Sequence, residues 1–195
     1  MKTVLYGGAF DPVHAGHVFV GHEVLRLMAP STLILIPTGL PNPDFDKCLS
    51  ASDADRVAML QLAFAGVPGV EISDVELRRE PRPSYFVDTL EGLRPGLGAG
   101  KPVLLLGEDQ LMSFPQWHRY QDILDQVELW FVPRAGRHCS DTPEVPARAL
   151  FAINPFDSLS STLIRNRLQQ GLSVDGLVPA SVAAYIAEHG LYRGQ

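Results

Sequence analysis

Residues Tyr6 to His17 read YGGAFDPVHAGH, directly behind the apolar run that opens the chain as KTVLYG. Gly7 and Gly8 lack Cβ atoms, so the backbone there can take unusual angles and let a ligand come close. Asp11-Pro12 reads as a helix entry, because Asp suits the cap and Pro the first turn. His14 and His17 then stand three residues apart and share one helix face. They lie near the helix N-terminus, where unpaired N–H groups and the dipole favour anions. A strand, a glycine turn, a positive helix end and two imidazoles aimed one way would suit a phosphate chain. The pair lacks the HExxH pattern of a zinc helix, and no nearby cysteine completes a ligand set, so no metal site is expected.

Outward from this stretch, short β-rich runs alternate with helical patterns. Ala15 to Met28 has helical spacing, and Thr32 to Pro37 (TLILIP) is a continuous apolar run of the buried parallel type. A polar, proline-broken loop covers Thr38 to Ser50, after which Ser52 or Asp53 caps a helix carrying Val57, Met59, Leu60, Leu62, Ala63 and Phe64. GVEIS reads as a strand, SYFVDTLEGL as a helix with Ser84 near its start, and PVLLLG (Pro102 to Gly107) as a strand. QWHRYQDILDQ reads as a helix, VELWFVP and RALFAI (Arg148 to Ile153) as strands, and SSTLIRNRLQQ and PASVAAYIAEHG as closing helices. This rhythm predicts an α/β fold, a three-layer doubly wound, Rossmann-like parallel sheet with helices on both faces. In such sheets ligands sit beyond the carboxyl ends of the strands, where strand order reverses, and the first strand borders that point.

A chain of 195 residues, 46% hydrophobic and 19% charged, is read as a single domain, 1–195, with enough length for a sizeable core. The net charge of −6 argues against broad binding to nucleic acid or acidic membranes, though not against a small anion site. No apolar run reaches the roughly 20 residues of a spanning helix, and no signal peptide is read at the N-terminus. Cys48 and Cys139 lie in polar stretches without a CxxC, which reads as two free thiols in a reducing cytoplasm. His22 and His138 read as solvated or partly packed side chains, and Trp130, inside a β run, as core.

GGAFDPVHAGH resembles the phosphate-binding signature of the nucleotidyltransferases marked by an H-x-G-H box, here His14-Ala15-Gly16-His17. Their second signature, I-S-x-T-x-I-R, is matched by Leu159-Ser160-Ser161-Thr162-Leu163-Ile164-Arg165, with Leu for the first Ile. The intervening segments ISDVELRREPRPSYFVDTL, LLLGEDQLMSFPQWHRYQDIL and VPASVAAYIAEHGLYR resemble bacterial nicotinate-nucleotide adenylyltransferases, so the likeness spans essentially the whole chain. The resemblance implies transfer of the adenylyl group of ATP to nicotinate mononucleotide, giving nicotinate adenine dinucleotide and pyrophosphate, with Mg2+ carried by the triphosphate. It implies catalytic roles for His14, His17, Arg165 and Lys47. It places ATP on Gly8, Ala9, Phe10, His14, His17, Gly107, Asp109, Ser160, Ser161, Thr162 and Arg165. It places the mononucleotide on Tyr85, Phe86, Trp117, His118 and Arg134, with the Trp117 indole stacked on the pyridine ring. It further implies a cytoplasmic enzyme of NAD biosynthesis, without nucleic-acid or membrane partners and with room for a homo-oligomer.

Three positions depart from the family pattern. The S-Y-T triplet is Ser84-Tyr85-Phe86, which removes a hydroxyl expected near the nicotinate carboxylate. The P-P-H-K/R loop is Pro41-Asn42-Pro43-Asp44-Phe45-Asp46-Lys47, and His118 stands where tyrosine is usual. These keep open a sibling transferase preferring nicotinamide mononucleotide, and a non-catalytic ATP-binding regulator. A Rossmann oxidoreductase would need GxGxxG after the first strand, and GGAFDP is not that.

Overall fold

The computed structural model describes residues 2–39, 49–79, 84–133, 145–150 and 154–193. The chain runs β1 (Thr3–Gly8), α1 (Ala15–Met28), β2 (Thr32–Pro37), α2 (Asp53–Ala63), β3 (Val70–Ile72), α3 (Phe86–Leu93), β4 (Val103–Gly107), α4 (Glu108–Ser113), α5 (Tyr120–Gln126), β5 (Glu128–Val132), β6 (Ala147–Ala149), α6 (Ser161–Gln169) and α7 (Ala180–Glu188). The six strands pair in the order β3-β2-β1-β4-β5-β6, all parallel. Strand order reverses at β1, which pairs with β2 on one side (Tyr6 opposite Leu35) and β4 on the other (Tyr6 opposite Leu105). The crevice between β1 and β4 is therefore the switch point at which ligands bind in this architecture.

The alternation of side chains along each strand divides the core in two. Val4, Tyr6, Leu33, Leu35, Val103 and Leu105 face one side, under Val20 and Val24 of α1, Met59 and Leu60 of α2, Ile164 of α6 and Val182 and Ile186 of α7. Leu5, Ile34, Ile36, Leu104, Leu106, Leu129 and Phe131 face the other, under Val87 and Leu90 of α3, Leu111 of α4 and Ile123 of α5. Both faces of the central strands are covered, which is why TLILIP carries no polar alternation. Trp130 is half-buried against the first core, with Arg148 5.9 Å from its ring centre.

Three local expectations need correction. Helix α1 does not open at Asp11-Pro12. It starts at Ala15 with His14 as its cap, because the Asp11 carboxylate is held by distant groups instead. Beyond Gly107, where PVLLLG ends as read, the chain starts α4, so Asp109 lies in the first turn of a helix. QWHRYQDILDQ is helical only from Tyr120, since a 3-10 turn at Phe114–Gln116 and a left-handed Arg119 precede it. The last strand covers Ala147–Ala149, and residues 151–153 lie outside the described ones.

Candidate functional site at the strand-order switch

The β1–α1 turn is the floor of the site. Thr38 N–H donates to the Gly8 carbonyl (2.9 Å), which ties the end of β2 to the turn. A Cβ on Gly8 would lie 3.1 Å from the Phe10 ring, so a side chain there would require the ring to shift by a few tenths of an ångström. Phe10 is itself left-handed (φ 49°) and fully buried, its ring edge-on to Tyr6 (5.6 Å) and His17 (4.9 Å). Open space surrounds the Cβ direction of Gly7.

His14 and His17 cap α1 reciprocally. His17 N–H donates to His14 Nδ1 (3.4 Å), and His14 N–H donates to His17 Nδ1 (3.2 Å). This is the geometry of a capping box, with imidazoles in the roles usually taken by Ser or Thr and Glu. Nδ1 acts as acceptor on both rings, so in the neutral form the proton is assigned to Nε2 on both. The rings stack with centres 3.6 Å apart and planes 28° apart. Burial, and then the neighbouring His14, hold His17 well below the ordinary imidazole range. Protonating its Nδ1 would also cost the cap, so in the ligand-free protein His17 presents a neutral N–H donor at a positive helix end.

The second motif meets the first. Ser160 Oγ accepts from Leu163 N–H (3.1 Å), the N-cap of α6. Ser161 does not cap; its hydroxyl donates to the Pro12 carbonyl (2.9 Å). Arg165 donates through Nη1 to the Asp11 carbonyl (2.7 Å) and through Nη2 to Thr162 Oγ1 (3.1 Å). The buried Ile164 seats α6 against the first core between these polar positions. The start of α6 and the turn leading into α1 are thereby locked together.

Asp11 anchors this junction. Its carboxylate is 1% exposed and accepts from Ser50 N–H (2.6 Å), Ala51 N–H (3.1 Å) and Tyr192 OH (2.6 Å). Arg56 lies fully buried beneath the turn, donating to the Ala9 carbonyl (2.9 Å) and to Asp53 (2.6 Å). Neither role was expected from sequence. A signal existed for Arg56, which stands one helical turn from Met59 and Leu60 on the buried face of α2.

On the other face of the sheet opens a cleft of about 1000 Å³. Gly7 and Ala9 form one end; Phe86, Trp117 and His118 stand among its walls, and Leu104 and Leu106 line it from the sheet. Phe86 and Phe114 flank Trp117 at 5.8 and 5.2 Å, and His118 lies 4.3 Å from Tyr85. Trp117 is only half-buried, so part of the indole borders open space. Tyr85 is the N-cap of α3 and provides no side-chain cap, so the first turn of that helix keeps backbone donors beside the cleft. Gly107 caps α4, its N–H donating to Gln110 Oε1 (3.2 Å), and Asp109 is exposed in that first turn. Glu76 closes the wall: it accepts from Gly39 N–H (3.2 Å) and Thr89 Oγ1 (2.9 Å), and burial pushes its carboxyl up. Glu76 and Gln110, both in the cleft lining, were also missed in the sequence.

The expected residues thus gather in two groups around one turn. His14, His17, Ser160, Ser161, Thr162 and Arg165 stand on the α1–α6 side, and Tyr85, Phe86, Trp117 and His118 on the cleft side, with Gly107 and Asp109 at the end of β4. Lys47, Arg134, His138 and both cysteines lie outside the described residues. Among the described residues no three His, Cys, Asp or Glu side chains are grouped to hold a metal ion. No helix among them is long and apolar enough to cross a membrane.

Fold and site together define a nucleotidyltransferase of the H-x-G-H type. The chain belongs to the cytidylyltransferase-like family, which matches residues 5–167, and within it to the nicotinate-nucleotide adenylyltransferases. It is 38% identical to the protein of Dehalococcoides mccartyi named "Probable nicotinate-nucleotide adenylyltransferase", over 100% of this chain and 98% of that one. It is 37% identical to the protein of the same name from Klebsiella pneumoniae, over 96% and 95%. Among solved structures it shares the fold of Plasmodium falciparum nicotinic acid mononucleotide adenylyltransferase complexed with NaAD, with a TM-score of 0.78, 18% identity and 98% of each chain covered.

Proposed function

We propose that this chain transfers the adenylyl group of ATP to nicotinate mononucleotide, giving nicotinate adenine dinucleotide and pyrophosphate. One observation carries this reading: two helix N-termini, capped by His14 and Ser160 and joined by Arg165 on the Asp11 carbonyl, adjoin an aromatic cleft across the β1–α1 turn. The triphosphate lies over the α1 and α6 starts. His14 and His17 donate from Nε2, Thr162 and the Arg165 fork reach the outer phosphates, and the backbone at Gly8, Ala9 and Phe10 faces the α-phosphate. Gly107 lets the nucleotide approach, and Asp109 takes ribose hydroxyls. The mononucleotide occupies the cleft with its pyridine ring on Trp117, between Phe86 and the Tyr85–His118 pair. The open start of α3 receives the ring carboxylate through backbone N–H groups, which compensates for the hydroxyl that Phe86 lacks.

The acceptor phosphate oxygen attacks the α-phosphorus in line, and the bond to the bridging oxygen breaks as pyrophosphate leaves. The protein's contribution is alignment and stabilisation of charge. Mg2+ carried with the triphosphate would neutralise charge on it. His17, charged once a polyphosphate lies beside it, and Arg165 act on the transition state, with Lys47 as a further cation and Arg134 on the mononucleotide. This reading places the enzyme in the cytoplasm.

The test is to supply Mg-ATP with nicotinate or nicotinamide mononucleotide separately and measure pyrophosphate and dinucleotide. Nicotinate mononucleotide is expected to give the higher kcat/KM. Preference for the amide would move the assignment to the sibling activity that Phe86 favours, and absence of turnover with either would remove it.

A further inference from the structure

We propose that Tyr192, at the far end of the chain, is a positioning residue for adenylyl transfer, acting through the Asp11 carboxylate on the turn that bears His14 and receives Arg165. The proposal rests on the functional reading above.

The geometry is continuous. Tyr192 OH donates to Asp11 Oδ1 at 2.6 Å, across 181 residues of sequence. The same carboxylate holds Ser50 and Ala51 N–H, where the chain enters α2. The main chain of the same residue accepts Arg165 Nη1 at 2.7 Å, and the next carbonyl accepts Ser161 Oγ. One buried residue therefore receives the C-terminal segment, the α2 entry and the second motif.

Two features show that this placement is held rather than incidental. Tyr192 has φ 59°, a left-handed conformation that bulky residues rarely adopt and that needs the surroundings to maintain it. It follows Gly190, which makes the left-handed exit from α7 at φ 62° and lets Leu191 N–H reach the Ile186 carbonyl (3.0 Å). The phenol is directed inward beside α6, not left at a fraying end. Removing its hydroxyl leaves the buried Asp11 carboxylate with one donor fewer. The carboxylate then shifts on its remaining partners and carries its own carbonyl, the seat of Arg165, with it. Small displacements at such a centre cost rate steeply.

A double-mutant cycle of Y192F with R165A separates positioning from general stability. In the parent background, Y192F is expected to lower kcat/KM for ATP about tenfold, with the acceptor KM changed by less than about twofold. In the R165A background the same substitution should cost less than about twofold, because the fork it places is gone. Mg-ATP affinity by titration calorimetry, normalised to the folded fraction, should show the same coupling and needs no acceptor. If the parent makes no dinucleotide, the functional reading fails, while the affinity cycle still decides this inference. D11N, which keeps the volume but points an amide at donors, should reproduce the loss and serves if Y192F does not fold. Parent-like behaviour of Y192F, or an equal loss with and without Arg165, would overturn the proposal.

Discussion

His14 and His17 spend their Nδ1 atoms on the backbone, and that choice sets their electrostatics. Because burial and His14 depress His17, the unfolded chain binds its proton more readily than the native one. Stability from this group is present above the unfolded value of about 6.5 and is lost as pH falls from there toward the native value. Urea midpoints of the ligand-free protein should therefore drop below about pH 6.5, and H17Q should flatten that slope. A triphosphate reverses the balance by favouring the imidazolium, so Mg-ATP binding at neutral pH should take up protons. Calorimetry in buffers of different ionisation enthalpy reads this directly, and an uptake unchanged in H17Q would exclude His17 as its source. On the other side of the turn Trp117 is half-buried, with the Phe86 and Phe114 rings tilted against it. Loss of a stacking platform costs about 1–3 kcal/mol per base, so W117A should raise the acceptor KM roughly tenfold or more while the ATP KM stays put.

Helix starts carry the proposed binding, so their caps are worth testing as elements. Ser160 Oγ holds the Leu163 N–H, and S160A should destabilise the protein by about 1 kcal/mol, with S160G closer to the parent. Thermal melts of the two variants check this; equal losses would mean that Ser160 acts through something other than its cap. The end of α1, the bounds of β2 and the Ser52 cap of α2 were legible in the sequence because each is set by neighbours in the chain: apolar spacing, an unbroken apolar run, a serine before a helix. The errors fall where distant groups decide. Asp11 looks like a cap by local rules, yet donors from Ser50, Ala51 and Tyr192 claim its carboxylate and leave capping to His14. The six residues of α4 are too few to display a helical period. The half-site assembled from the two motifs was readable because both motifs are contiguous; Glu76, Gln110 and Arg56 were not, since each belongs to the site only through the tertiary fold.

At the scale of the molecule, the two groups of proposed binding residues fall on opposite faces of the sheet. The strand reversal at β1 leaves the histidine pair and α6 on one core face and the aromatic cleft on the other, with the β1–α1 turn between them. Each substrate should then bind without the other, and their stabilising effects should add. A ligand at about a hundredfold over its Kd contributes about 2.7 kcal/mol, which for a chain of this size is about 2–4 °C of Tm per kcal/mol. Mg-ATP and nicotinate mononucleotide should each raise Tm on this scale, and together by the sum. R165A should abolish most of the nucleotide shift and leave the acceptor shift, while W117A should do the reverse. If either variant removes both shifts, the two halves are energetically one site, and the sheet does not insulate them.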